Sequence, residues 1–180
     1  ALREAERKFR DIFEHSTDGI FQSSPSGNFL RVNSMLAQIY GFESPAGLLA
    51  HFNDIGAQLY VEPGRREEFI RCMKEQGKLS AFESEAYNRN GDIIWISENA
   101  RSVRDENGEL LYYEGTVADI TRRRAADVAM RDSELQFRSV WEKSADGMRL
   151  TDGKGIIHAV NTAYCEIVGM AEEDLIGHPY

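Results

Sequence analysis

The chain contains part of itself twice. Glu6 to Phe42 aligns without a gap onto Glu134 to Met170, at a constant offset of 128 positions. Identities in register include Glu6/Glu134, Phe9/Phe137, Arg10/Arg138, Glu14/Glu142, Ser16/Ser144, Asp18/Asp146, Gly19/Gly147, Gly27/Gly155, Val32/Val160, Asn33/Asn161, Ile39/Ile167 and Gly41/Gly169. A period this long defines tandem globular domains, because solenoid repeats run at roughly 20–50 residues. About eighty residues after the first copy would complete it. The second copy reaches Tyr180 before any such completion. The chain therefore reads as one whole domain plus the opening of another, within a longer protein. Lacking most of its sheet, the second copy is expected to be loosely held unless something covers it.

Hydrophobic residues make up 42% of the sequence and aromatics 10%, enough for a packed core in the first copy. A net charge of −9 excludes a nucleic-acid-binding surface, which needs a basic stripe. Arg122-Arg123-Arg124 is the one dense basic run; flanked by Asp119 and Asp127, it reads as a solvated helix start rather than a phosphate-binding patch. Cys72 and Cys165 sit at non-equivalent positions, with neither metal spacing nor a disulfide framework. Small buried thiols suit a reducing compartment, so the expected location is cytoplasmic. No apolar stretch near 18 residues occurs, so this segment is not expected to contact a membrane.

Along the chain, Leu2 to His15 predicts an amphipathic helix, with Leu2, Ala5, Phe9, Ile12 and Phe13 on one stripe. Strands follow at Gly19–Ser23 and Phe29–Val32, joined by Ser24-Pro25-Ser26-Gly27-Asn28. Asn33 caps a helix over Ser34–Tyr40, Ser44-Pro45 opens another through Ala50, and Glu62-Pro63 opens a third that ends at Gly77. Three longer strands come next: Leu79–Arg89, Asp92–Arg104 and Leu110–Ile120, the first two joined by Asn90-Gly91. The expected fold class is α+β, a five-stranded antiparallel sheet with helices on one face. Apolar residues occupy both alternation phases, so both sheet faces should be covered, the second by the N-terminal helix or a partner chain. Thr121–Val140 has neither Pro nor Gly and predicts a helical linker, with Val128 and Leu135 one heptad apart.

These residues resemble the PAS sensory domains of bacterial signalling proteins, in tandem. The resemblance is carried by Phe9-Arg10-Asp11-Ile12-Phe13-Glu14, Ser16-Thr17-Asp18-Gly19-Ile20, Gly27-Asn28-Phe29, Val32-Asn33, and Asn90-Gly91 before Ile94-Trp95-Ile96. Its most specific part is Tyr113-Glu114-Gly115-Thr116-Val117-Ala118-Asp119-Ile120-Thr121 running straight into a helix. In the second copy it rests on Phe137, Asp146-Gly147, Val160-Asn161, Tyr164, Gly169 and Leu175-Ile176-Gly177. The resemblance implies a flanking helix over 1–15, a complete domain over 16–121, a helical linker over 122–140 and a truncated second domain over 134–180. It also implies that Asp119, Ile120 and Thr121 couple the last strand to an outgoing signalling helix. Side chains of Asp119 and Thr121 can bond the free amides of that helix's first turn, as a plain cap or as part of a switch.

Cofactor-binding branches of the family leave residue traces. A haem sensor would carry an axial His on the longest helix, and Pro63–Gln76 has none; His51 reads as solvent-facing or capping. The reactive-Cys stretch of the flavin-binding branch is absent. Neither haem nor flavin is therefore expected. Glu83 and Glu85 share a strand face and read as a polar or ion-paired surface rather than catalytic carboxylates. No catalytic residue or metal ligand set is expected. The expected pocket lies between helices and sheet, with linings Leu36, Ile39, Tyr40, Phe69, Cys72, Met73, Phe82, Ser84, Ser97, Asn99 and Gly115, and either a small ligand or a filled core inside.

The implied function is a signal-input module. It would relay a ligand- or partner-induced change through the linker helix to a C-terminal output domain. A histidine kinase in a two-component phosphorelay is the commonest host of such arrays, and a diguanylate cyclase is the alternative. Homodimerisation through the flanking helices would cover Leu2, Phe9 and Phe13. A constitutive dimerisation spacer without ligand is the competing class.

Overall fold

The computed structural model describes residues 2–179 and divides into two compact units after Arg124. The side chain of Leu2 lies outside the described residues. The first unit opens with α1 (Leu2–Glu14), then β1 (Gly19–Ser23) and β2 (Phe29–Val32). Four helices follow: α2 (Ser34–Ile39), α3 (Pro45–His51), α4 (Ile55–Gln58) and α5 (Arg65–Gln76). Three long strands complete the sheet: β3 (Lys78–Tyr87), β4 (Ile93–Arg104) and β5 (Leu110–Asp119). All pairings are antiparallel, in the order β2-β1-β5-β4-β3. The expected α+β architecture is present, with one short helix more than the sequence pattern suggested. That helix, α4, is a single turn capped by Asp54, whose Oδ1 accepts the Ala57 N–H.

Local chemistry fixes the boundaries. Asn33, Ser44 and Asp54 each cap a helix through a side-chain oxygen, and Gly77 ends α5 in a left-handed conformation. One five-residue turn closes four hairpins, at 24–28, 88–92, 105–109 and 152–156. Its first residue (Ser24, Asn88, Asp105 or Asp152) accepts a backbone N–H with its side-chain oxygen, and its fourth is a glycine with φ between +83 and +91. That φ is where a Cβ is penalised and glycine is not. Asn90-Gly91 is thus the middle of a longer turn held by Asn88, not a two-residue loop. At Asp152 the backbone bonds from Ile156 and Lys154 hold the carboxyl below the usual carboxylate range.

Burial alternates along the strands. On β4, Ile96, Glu98 and Ala100 are buried while Asn99 and Arg101 are exposed. The buried phase meets α2–α5 and forms one core with Phe21, Leu36, Tyr40, Phe69, Met73, Tyr113 and Val117. The other face is only partly covered. Residues 3–12 of α1 are exposed, and so are Leu30, Ile93 and Leu111 on the strands. Helix α1 is fastened at its C-terminal end, where Phe13 is buried and Arg31 stacks over its ring at 4.4 Å.

A second helix-to-sheet contact explains the repeated Asp-Gly pair. A Cβ on Gly19 would lie 2.6 Å from Leu36 Cδ1, and one on Gly147 would lie 2.9 Å from Ile167 Cδ1. Each glycine lets a following helix sit directly on the strand entry. Helix α6 (Thr121–Lys143) leaves β5, and none of its residues is buried. The second unit continues with the hairpin β6 (Arg149–Thr151) and β7 (Ile157–Val160), then α7 (Thr162–Val168) and α8 (Glu172–Leu175). Its core is small: Ile157, Val160 and Leu175, with Tyr164 and Cys165 against them.

Candidate functional site

The interior between helices and sheet gathers most of the expected pocket residues. Leu36, Tyr40, Phe69 and Met73 are fully buried there, with Ile39, Cys72 and Phe82 packed at the edge. Ser84 is also buried, but its hydroxyl is occupied: Arg65 Nε donates to it at 2.9 Å, while Arg65 Nη2 donates to the Glu83 carbonyl and the guanidinium lies 3.7 Å over Phe82. Arg65 thereby staples the start of α5 onto β3. Ser97 and Asn99 do not line this interior. They occupy the opposite alternation phase from Ile96 and Glu98, which is a correction to the sequence expectation. Asn99 Oδ1 instead accepts the N–H of Ala81, at a β3 bulge where Ala81 adopts φ 51°. Gly115 is a point of backbone contact between β5 and β4, since a Cβ there would lie 2.1 Å from the Asn99 carbonyl oxygen. His51, at the end of α3, is exposed with its ring against Phe42 and Phe52.

The sequence reading missed the polar part of this interior. Glu98 is 3% exposed on β4, and its Oε2 accepts the Tyr60 hydroxyl at 2.8 Å. Tyr40 OH, and Nε and Nη2 of Arg66, are buried with no hydrogen-bond partner among the described residues. The Arg66 guanidinium stacks 4.6 Å from the Phe69 ring instead. Burial pushes the Glu98 carboxyl up to about 7, against the opposing pull of the Tyr60 bond and the charges of Arg66 and Arg65. Burial and the Glu98 charge likewise raise the Tyr40 and Tyr60 hydroxyls well above the usual phenol range.

The raised carboxyl makes stability depend on pH with a definite sign. The folded state holds this proton more tightly than the unfolded chain, whose value is near 4.5. The contribution is fully present below that value and is lost as pH rises through about 7. At about 1.4 kcal/mol per pKa unit, the expected loss is about 3 kcal/mol. Glu98→Gln keeps an acceptor for Tyr60 and removes the titration. Urea denaturation at about pH 5 and about pH 8 should therefore show a loss of about 2–3 kcal/mol in the wild type and little change in the variant. Identical pH dependence in the two proteins would disprove the role given to Glu98.

The strand-to-helix exit is the second site. Asp119 Oδ1 accepts the Thr121 N–H at 2.8 Å, a cap of the anticipated kind. Thr121 departs from expectation: its Oγ1 accepts the Trp95 N–H across the sheet at 2.9 Å, and the Ile120 N–H donates to the Trp95 carbonyl at 2.8 Å. Both main-chain polar groups of Trp95 are therefore committed to the exit. The basic run is also engaged. Arg123 Nη2 and Arg124 Nη2 each donate to one oxygen of Glu83, at 2.6 and 2.5 Å, and the Arg124 guanidinium lies 3.8 Å over the Trp95 ring. The bonds from Arg124, then Arg123, hold the Glu83 carboxyl below the usual range. Nothing local in the sequence marks Glu83 and Trp95 as partners of the exit, beyond Glu83's place in the outward strand phase.

A groove of about 480 Å³ runs between α1 and the outer sheet face, lined by Phe9, Ile12, Phe13, Ile20 and Leu79 with Asn99, Arg101 and Glu114 at its polar side. At that polar side Glu114 pairs with Arg101 and accepts from the Gln22 amide. No helix among the described residues is long and apolar enough to cross a membrane.

Comparison with known proteins agrees with this architecture. A family model described as a PAS domain matches residues 17–122, more than half of the chain, and one described as the PAS fold matches residues 135–180. The chain belongs to the PAS domain family, with two such domains in tandem. Curated relatives include signalling proteins. The sensor protein FixL of Bradyrhizobium diazoefficiens is 34% identical over 120 residues, covering 65% of this chain and 24% of the relative. Sporulation kinase E of Bacillus subtilis is 25% identical over 179 residues, covering 98% of this chain and 23% of the relative. A probable diguanylate cyclase, DgcE of Escherichia coli, is 27% identical over 151 residues, covering 82% of this chain and 13% of the relative. The chain thus spans under a quarter of these relatives' lengths. A sensory box histidine kinase/response regulator from Burkholderia thailandensis shares the fold, with a TM-score of 0.53 at 20% identity over 73% of this chain and 98% of the other.

Proposed function

We propose that this segment is the cytoplasmic signal-input module of a sensor histidine kinase in a two-component phosphorelay. A signal received between the helices and sheet of the first domain shifts β4 and β5. The shift passes through Asp119, Ile120 and Thr121 into α6 and on to the output domain. The observation that carries this reading is the double commitment of Trp95, whose N–H and C=O both hold the exit. A strand fastened in this way to the helix start cannot tilt without moving the helix, and the signal need only favour one arrangement over the other. The kinase host is favoured by the resemblance to FixL and to sporulation kinase E, and the cyclase alternative by the resemblance to DgcE.

The module is a homodimer in this reading. Phe9 and Ile12 on α1, and Val128, Leu135, Phe137 and Val140 on α6, are large apolar side chains left exposed. A second copy supplies the same stripes in an isologous arrangement. Sedimentation should give a dimer for the wild type and a shift towards monomer in Phe9→Ser/Ile12→Ser; a monomeric wild type contradicts this part.

The relay is tested in the full-length protein with Thr121→Val, which removes the acceptor for Trp95 and retains the shape. Basal output, read as phosphate incorporation from ATP or as cyclic dinucleotide from GTP, is expected to change by about tenfold, the scale of one lost hydrogen bond to a half-buried amide. Unchanged output in a folded variant supports the constitutive spacer instead. The nucleotide consumed separates kinase from cyclase.

A further inference from the structure

The proton is the smallest ligand that the polar interior could read, and the geometry is arranged around one acceptor. We propose that Glu98, enclosed by Tyr60, Tyr40 and Arg66, is a proton-binding input site, and that its loading or unloading is a signal the first domain passes to α6. This rests on the relay reading given above, and names its input.

Three observations carry it. First, the carboxylate is sealed from solvent yet incompletely neutralised. Each element packed against it contributes identifiable groups: Tyr60 from the turn after α4, Arg65 and Arg66 from α5, and Tyr40 from the end of α2. The strand residues opposite it, Phe82 and Val117, carry no charge. Arg65 is spent on Ser84, Glu68 and the Glu83 carbonyl. Arg66 is 6% exposed and keeps two nitrogens without partners among the described residues, so a cation with donors to spare is held near this buried carboxyl.

Second, the two protonation states prefer different partners. Ionised Glu98 is an acceptor of donors alone, and the open N–H groups of Arg66 and the Tyr40 hydroxyl are such donors. Once a solvent proton has bound to one oxygen, the carboxyl becomes a donor as well. The pull on Arg66 then vanishes, and the Tyr40 oxygen becomes a suitable acceptor. An unpaired guanidinium buried to this extent is costly, so the balance between these arrangements turns on where that single proton resides.

Third, the site is close in the ladder to the exit. Glu98 pairs with Val117, and Ile96 pairs with Asp119, on β5. Trp95, three residues before Glu98 on β4, holds Ile120 and Thr121. A rearrangement about Glu98 therefore acts on the strand segment that grips the helix.

The test uses the whole chain, with Trp141→Phe as background so that Trp95 is the sole tryptophan. Infrared difference spectra taken from about pH 5 to about pH 9 follow the protonated-carboxyl carbonyl band, and Trp95 fluorescence follows the exit. Both signals are expected to titrate with one midpoint near 7, and both to disappear in Glu98→Gln. A carboxyl band that is absent between about pH 6 and 8, or that persists in Glu98→Gln, overturns the proposal and leaves the relay reading untouched. A band that titrates while Trp95 stays silent overturns the proposal by removing the relay on which it rests. Should Glu98→Gln fail to fold, Tyr60→Phe serves: losing a hydrogen bond to the charged form is expected to raise the carboxyl midpoint, by about tenfold in proton affinity. A midpoint unmoved by Tyr60→Phe overturns the assignment to Glu98.

Discussion

Gly115→Ala is expected to abolish the cooperative folding of the first domain. The added Cβ would lie 2.1 Å from the Asn99 carbonyl oxygen and 2.8 Å from both Cα and Cβ of Ala100. Two of these three atoms are main chain of the paired strand β4, so no side-chain rotation relieves the clash. Gly115 pairs with Ala100 on one side and Phe21 on the other, in the middle of the sheet. Opening the ladder there would separate β5 from β4 and expose Tyr113 and Val117, both core residues. A loss on the order of 4 kcal/mol or more is expected, a large share of a stability of roughly 5–15 kcal/mol. Thermal melts followed by circular dichroism check it. A melt within a few degrees of the wild type would mean that β4 and β5 are spaced differently from this description.

Asn33→Ala should cost about 3–4 kcal/mol, because four hydrogen bonds meet at one buried side chain. Its Oδ1 accepts the N–H groups of Ile20 at 2.8 Å and Leu36 at 2.9 Å. Its Nδ2 donates to the carbonyls of Phe13 at 2.9 Å and Asp18 at 3.1 Å. One amide thereby ties the end of α1, the entry to β1 and the start of α2. Alanine leaves all four main-chain partners without this contact, and the lost N-cap alone costs about 1 kcal/mol. Asn161 makes the same four bonds in the second unit, to Met148, Tyr164, Trp141 and Asp146. Urea titration measures the loss for Asn33. A change below about 1 kcal/mol would show that the helix junction is held by other contacts.

The Val-Asn pair was visible in the sequence as a repeat and as a cap, yet its cross-links to Phe13 and Asp18 were not. A cap is local and obeys a spacing rule, whereas those carbonyls lie 20 and 15 residues away and are brought near only by the fold. The same distinction runs through the molecule. The succession of strands and helices along the chain and the Asp119 cap follow from short-range chemistry and were legible, whereas the pairing of β1 with β5 and the five-residue turn at 88–92 were not. Glu83 was readable only as a polar strand residue, because its partners Arg123 and Arg124 lie 40 and 41 residues on. Ser97 and Asn99 were placed on the wrong face because Ile94, Trp95 and Ile96 give β4 two apolar phases, so alternation could not choose between them. Glu98 was overlooked for the same reason. In the phase of Ile96 and Ala100 it is the one buried charged residue, and that exception marks the interior's polar centre.

Relay from sheet to helix requires α6 to be held by the sheet at its first turn. Hydrogen exchange of the Ile120, Thr121 and Arg124 amides is the most direct measurement, in the wild type and in Thr121→Val/Glu83→Gln. Protection of these amides is expected in the wild type and exchange faster by about tenfold or more in the double variant, corresponding to about 1.4 kcal/mol, with β1 and β2 unchanged. Equal exchange in the two proteins, or the same three amides already unprotected in the wild type, would contradict it.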